Sequence, residues 1–150
     1  MMKSKLLGGI AALATVAIVA SGAVVAQDAI AQRKALMKVV GSSAKTGADM
    51  AKGSVPFDAA KAGEAMGAIA ANWQAFVKLF PAGSGTGGET TASPKIWETL
   101  KDFEDKGAKF AANAIAAQKA AATGADAFKA AFGEVQKGCG DCHRVYREKK

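Results

Sequence analysis

Cysteine and histidine are almost absent from this chain of 150 residues, which has two cysteines and a single histidine. Two cysteines are too few for a multi-bridge disulfide scaffold or, by themselves, for a four-cysteine zinc or iron–sulfur site. One histidine excludes any site that needs two. β-Branched residues are sparse and alanine is abundant, which favours helix over sheet. Half of the residues are hydrophobic, which argues against disorder, and the length suits one compact domain.

Residues 1–26 have the organisation of a secretory signal peptide. Lys3 and Lys5 give a positively charged start, and residues 6–20 form the apolar run. Val24 and Ala26 are the small residues before the cleavage site. About 20 apolar residues would also suffice for a membrane anchor, but the small residues at the end of the run favour cleavage before Gln27. We therefore expect a mature chain of residues 27–150 without a stable membrane anchor. Export predicts a periplasmic protein, in a compartment that allows disulfides.

The formal net charge is +7, and the basic residues are spread along the chain. Only the C-terminal tail is densely basic, with Arg144, Arg147, Lys149 and Lys150. Because basic and aromatic residues are not interleaved there, a nucleic-acid partner is not indicated. The tail is interpreted either as a solvated helix end, which cations favour, or as a docking patch for an acidic partner.

Hydrophobic spacing predicts an all-α fold, an antiparallel up-down-up-down four-helix bundle. The first helix is expected at 28–51 and the second from Pro56, with an apolar stripe that reaches Phe80. A Gly-rich loop follows at 83–93. The third helix is expected from Pro94, a turn at 122–126, and a fourth helix whose apolar stripe runs over residues 128–146. The seam between the helices is rich in alanine and glycine, so the interior is either very closely packed or leaves space for a prosthetic group.

Cys139, Cys142 and His143 form a C-x-x-C-H sequence, the pattern that attaches haem c through two thioethers and binds its iron through the imidazole. On a helix, residues i, i+3 and i+4 share one face, so the three side chains can grip one porphyrin. The pattern uses both cysteines and the only histidine of the chain. One alternative is a structural or redox disulfide, although a thioredoxin-like site would need strands nearby. The other is half of a zinc site, which lacks a fourth Cys or His ligand.

With this motif near its C-terminus, the chain resembles the class II c-type cytochromes, the cytochrome c′ family. The resemblance covers about residues 29–150. The matching segments are RKALMK at 33–38, KGSVPFDAA at 52–60, SPKIW at 93–97, FGEV at 132–135 and CGDCHRVYR at 139–147. Family members often carry lysine after the first cysteine, where this chain has Gly140. The resemblance implies a left-handed four-helix bundle with one covalent haem c and its iron per chain, either as a homodimer or as a monomer.

The same resemblance implies two residues on the first helix that approach the haem. Arg33 matches a family arginine beside a haem propionate, and Met37 matches the position that decides the sixth iron ligand. In the low-spin branch, the cytochromes c-556, a methionine sulfur occupies this site. Core packing is the alternative role for Met37; Met66 is a rival ligand, and Met50 is expected to lie too far along the helix.

An iron with His143 below it and Met37 above it predicts one-electron transfer to redox partner proteins. A partner with an acidic surface is one possibility. The alternative is a five-coordinate, high-spin protein that binds nitric oxide or carbon monoxide. A haem-free helical interaction module is a third hypothesis. An enzyme is not expected, because no second histidine and no paired acid and base are placed by spacing.

Tyr146 is expected to pack on the bundle, Arg147 to screen the proximal imidazole, and Trp73 and Trp97 to be core aromatics rather than electron relays.

Overall fold

The computed structural model describes residues 17–149, with side chains from residue 24 onward. The order of its helices is α1 (Ala17–Ala51), α2 (Ala59–Phe76), α3 (Lys95–Glu98), α4 (Leu100–Ala121) and α5 (Ala125–Tyr146). Residues 1–16 of the predicted signal peptide lie outside the described residues, and its cleavage stays a prediction. None of the helices in the described part of the chain is long and apolar enough to cross a membrane.

The first helix begins earlier than the pattern predicts, at Ala17 instead of residue 28. The segment between these two positions is rich in alanine and valine and contains no proline, so nothing interrupts the helical hydrogen bonds. Residues 17–27 and the predicted helix at 28–51 therefore form one continuous helix, α1.

The second helix begins later than predicted, at Ala59 and not near Pro56. Asp58 is extended, and its carboxylate accepts a hydrogen bond of 3.0 Å from the backbone N–H of Lys61. Such an N-cap fixes the start of a helix. The helix also ends at Phe76, so Phe80 reaches the core from the following turn rather than from the helix.

The third predicted helix is divided at Thr99 into the one-turn α3 and the long α4. Thr99 leaves the helical region (φ −132°, ψ 49°), and its hydroxyl oxygen lies 2.9 Å from the carbonyl oxygen of Lys95 and 3.0 Å from the hydroxyl of Tyr146. Threonine side chains that bond to nearby backbone compete with a continuous helix.

The four long helices form the predicted all-helical four-helix bundle. α1 packs on α2, α2 on α4, α4 on α5, and α5 closes the ring against α1. The chain after α5 is held by a bridge between Ala92 and Arg147, flanked by hydrogen bonds from Ser93 N–H to Tyr146 O and from Glu148 N–H to Thr91 O.

The alanine-rich seam has both of its expected consequences, at opposite ends of the bundle. At one end the helices pack closely: Ala62, Ala114 and Ala117 are fully buried, and Phe128 stacks on Phe132 with ring centroids 5.6 Å apart. At the other end the bundle encloses a large cavity. The interior is therefore closely packed at one end and leaves space for a large group at the other.

Candidate functional site

The cavity has a volume of about 790 Å³, within the range of roughly 300–1,000 Å³ that is usual for small-molecule sites. It lies among α1, α2, α4, α5 and the loop after α2. Its walls are mainly apolar, and six aromatic side chains contribute to them: Trp73, Phe76, Phe80, Phe103, Phe110 and Tyr146. A flat, apolar ring system would bury its faces against such walls.

One wall of the cavity is the last part of α5, where Cys139, Cys142 and His143 all line the space. Both cysteines are half-buried free thiols, so the two attachment points of a C-x-x-C-H motif face a cavity of suitable size. Burial raises the pKa of Cys139, and it raises the pKa of Cys142 to about 11. These thiols are therefore protonated and weakly nucleophilic in the folded chain at neutral pH.

His143 lines the cavity at its solvent-exposed edge. Burial, and then the positive charge of Arg147, hold the pKa of the imidazole below its ordinary value of 6.5. The side chain is therefore neutral at pH 7, and a neutral imidazole is the form that binds a metal.

α1 supplies Arg33 and Met37, one turn apart, to the same cavity. Arg33 is a buried cation: its Nε donates to the carbonyl of Ala29 at 3.3 Å, and one terminal nitrogen, Nη2, donates to the carbonyl of Ser84. The guanidinium carbon lies 4.6 Å from the centroid of the Phe80 ring. Burial lowers its pKa, although an arginine remains charged at neutral pH.

The remaining terminal nitrogen of Arg33, Nη1, is buried and has no hydrogen-bond partner. An unpaired charged donor is costly inside a protein. A carboxylate in the cavity would supply the missing acceptor, and the haem group carries two propionates. The orphaned donor, the facing thiols and the apolar walls together fit haem c.

The three methionines of the described residues differ in whether they line this cavity. Met37 lines it and is half-buried. Met50 and Met66 are buried in the hydrophobic core and do not line it.

Tyr146 packs as predicted and also anchors α5 to α4. It is buried, with its ring centroid 5.2 Å from that of Phe103. Its hydroxyl donates to Oδ2 of Asp102 at 2.5 Å, and Oδ1 of Asp102 pairs with Nζ of Lys106 at 2.7 Å. Arg147 lines the cavity next to His143. No role was predicted for Asp102 and Lys106, although Lys106 lies between Phe103 and Phe110 in the third predicted helix.

Trp73 and Trp97 both pack against other aromatic rings. Trp73 is buried between α2 and α4, while the indole nitrogen of Trp97 donates to the carbonyls of Phe80 and Pro81 at 3.2 and 3.1 Å. Gly107 was also missed. A Cβ on this residue would overlap the indole of Trp73, so the missing side chain gives Trp73 its place in the cavity wall.

A C-x-x-C-H motif on the last helix of a four-helix bundle, facing a cavity of this kind, defines a c-type cytochrome of the helical-bundle class. A family model described as Cytochrome C′ matches residues 28–147. The chain therefore belongs to the cytochrome c′ family, and it carries covalently bound haem c.

Individual relatives carry two kinds of name. The chain is 45% identical over 120 residues to a cytochrome c′ of Rhodopseudomonas palustris, covering 80% of this chain and 82% of the relative. It is 39% identical over 119 residues to a cytochrome c-556 of Agrobacterium fabrum, covering 79% and 80%. Among solved structures, the cytochrome c′ of Rhodopseudomonas palustris matches with a TM-score of 0.75 at 44% identity over 82% of this chain and 98% of that one. That of Shewanella frigidimarina matches with a TM-score of 0.77 at 34% identity, over 83% and 97%.

Proposed function

We propose that this cytochrome carries single electrons, with a low-spin iron held between His143 and Met37. The bound haem supplies an iron that changes between the ferric and ferrous states by one electron. The protein would supply the thiols of Cys139 and Cys142 for attachment, the imidazole of His143 and the thioether of Met37 as iron ligands, and an apolar enclosure. Fixed ligands in both oxidation states keep structural rearrangement small, and a methionine ligand raises the reduction potential.

The observation that carries this proposal is that Met37 is the only methionine among the described residues that lines the cavity. Met37 comes from α1 and His143 from α5, so the two ligands are supplied by different walls. A thioether is flexible enough to reach a metal from a half-buried position. The core position of Met66 supports Met37 over that rival.

Arg33 is proposed to pair with a haem propionate through Nη1. Its other donors are occupied by Ala29 and Ser84 and its plane rests on Phe80, so the guanidinium is held in place before the carboxylate arrives. A charge-assisted bond of this kind is stronger than one between neutral groups. It would fix one edge of the haem while Cys139 and Cys142 fix another.

We also propose that residues 1–26 are removed on export and that the mature protein works in the periplasm with redox partner proteins. The small residues Val24 and Ala26 before the cut support cleavage. Attachment of haem through two thiols is compatible with an exported protein, in which the cysteines meet an oxidising compartment.

The proposal is tested with Met37→Leu, which removes the sulfur and nearly conserves the side-chain volume. The ferric wild type is expected to show the weak near-infrared band of sulfur ligation, and Met37→Leu to lose it and become high-spin. Met66→Leu, the same change in the core, is the matched control and should keep the band. An unchanged low-spin spectrum in Met37→Leu would refute methionine ligation.

A five-coordinate, gas-binding cytochrome is the second candidate. It is favoured by Gly41, an exposed residue that lines the cavity one turn beyond Met37 and has no side chain to cover the opening. A diatomic ligand would reach the iron from this side if Met37 did not bind it. Rapid binding of carbon monoxide to the reduced wild type, without a preceding ligand-loss step, would select this function.

A further inference from the structure

Lysines form a stripe along the exposed side of α1. Lys34, Lys38, Lys45 and Lys52 are all exposed, and at about 100° per residue their positions fall within roughly 40° around the helix. The stripe extends over about 27 Å. Asp49 of the same helix pairs with Lys45 at 2.6 Å.

One end of this lysine stripe borders the mouth of the haem cavity. The exposed residues that line the cavity come from α1, from the end of α5 and from one position of the loop after α2. They are Lys34, Lys38, Gly41, Glu89, His143 and Arg147. The cavity therefore opens between α1 and α5. Glu89 is the only carboxylate among its lining residues, and its carbonyl accepts a bond of 3.1 Å from Nζ of Lys34.

The other end of the stripe borders a second cleft between the same two helices. This cleft has a volume of about 190 Å³, and Lys52, the first residue after α1, faces Lys129 and Gln136 of α5 across it. Both openings thus lie along one groove between α1 and α5, which we call the α1/α5 groove. The α1 bank carries lysines over most of its length, whereas the basic residues that line the two openings on the other bank are Lys129 and Arg147.

The charges of α5 nearly balance, since it carries Asp126, Glu134 and Asp141 beside Lys129, Lys137 and Arg144. A group of exposed carboxylates lies at the start of α4 and on α3, namely Glu98, Asp102, Glu104 and Asp105. In the basic tail, Arg144 is paired with Asp141 at 2.8 Å, whereas Arg147 lines the cavity mouth. The positive face of the molecule is therefore set by α1 more than by the tail.

We propose that the α1/α5 groove is the docking surface for an acidic redox protein, which exchanges electrons with the haem at the mouth of the cavity. This inference rests on the proposed electron-transfer function. A partner whose carboxylates are arranged along the lysine stripe would be attracted over the length of the groove and oriented at the opening. Charge complementarity of this kind raises association rates and fixes register.

The test compares two double charge reversals with the same net charge. Lys38→Glu/Lys52→Glu reverses both ends of the groove, whereas Lys78→Glu/Lys119→Glu changes exposed lysines that follow α2 or belong to α4, on the opposite face. The ferric holoproteins are mixed with reduced flavodoxin, an acidic one-electron donor, in a stopped-flow instrument at several salt concentrations. Tetramethyl-p-phenylenediamine, an uncharged donor, reports any change in the haem itself.

At low salt, the groove variant is expected to react with flavodoxin about tenfold more slowly than the wild type and to lose most of its salt dependence. The opposite-face variant should stay within about twofold of the wild type. Equal losses in both variants, or a loss that also occurs with the uncharged donor, would overturn the proposal. So would groove-dependent binding to vesicles of anionic lipid with an unchanged flavodoxin rate.

The comparison between variants and wild type does not depend on the identity of the sixth ligand, because all of these proteins share that ligand. A high-spin wild-type spectrum would refute methionine ligation and leave the docking experiment interpretable. A wild type that keeps its low-spin spectrum but shows no salt-dependent reaction with flavodoxin would refute the docking surface alone.

Discussion

Gly107 allows a decisive test of how the cavity wall is built. Replacing glycine by alanine inside a helix normally stabilises a protein by about 0.5–1 kcal/mol, because glycine loses more backbone entropy on folding. Gly107 lies in the middle of α4, and on propensity alone Gly107→Ala should therefore be stabilising.

The structure predicts the opposite sign. A Cβ on Gly107 would lie closer than 3.0 Å to three atoms of the Trp73 indole, so the ring would have to move by roughly 1 Å to restore contacts near 3.4 Å. Trp73 is packed on three other rings, with centroid distances of 5.0 Å to Phe76, 5.9 Å to Phe103 and 5.5 Å to Phe110. Its remaining free side faces the cavity, which haem fills. Overpacking in such a site costs about 1–3 kcal/mol.

Gly133→Ala is the matched control. Gly133 is an exposed helical glycine of α5, and its Cβ would meet nothing within 4 Å. Guanidinium denaturation of the holoproteins should show that Gly133→Ala raises the free energy of unfolding by about 0.5–1 kcal/mol, while Gly107→Ala lowers it and shifts the haem absorption. Equal stabilisation by both substitutions would refute the assigned contact between Gly107 and Trp73.

Three further substitutions test other parts of the fold. Tyr146→Phe removes the bond to Asp102 and should lower stability by about 1 kcal/mol in thermal unfolding; an unchanged midpoint would contradict this anchor. Asp58→Ala removes the N-cap of α2, and the backbone N–H of Lys61 holds the pKa of Asp58 below its ordinary value of 3.8. The folded pKa is the lower one, so the stability advantage of the wild type is complete above pH 3.8 and disappears as the pH falls through the folded pKa; a constant difference down to low pH would argue against the cap. Phe128→Ala should cost about 3–5 kcal/mol and leave the haem spectrum unchanged, because Phe128 is buried away from the cavity.

The helices and the attachment motif are local features, and for that reason they were predictable. Apolar spacing located four long helices, and the i, i+3 and i+4 positions of Cys139, Cys142 and His143 place all three on one face of α5. The boundaries were less predictable. The cap at Asp58 and the break at Thr99 depend on single side-chain hydrogen bonds, and such bonds leave little trace in hydrophobic periodicity.

The class of protein follows from local sequence alone, because two cysteines and one histidine within five residues carry the attachment chemistry in any helical context. Arg33 and Met37 were also singled out, though only through resemblance to a family. How distant segments meet depends on the assembled bundle, as with the carbonyl of Ser84 beside Arg33 and the indole of Trp73 over Gly107. These contacts depend on how the four helices are arranged around the cavity, and no periodicity within one helix specifies its neighbours.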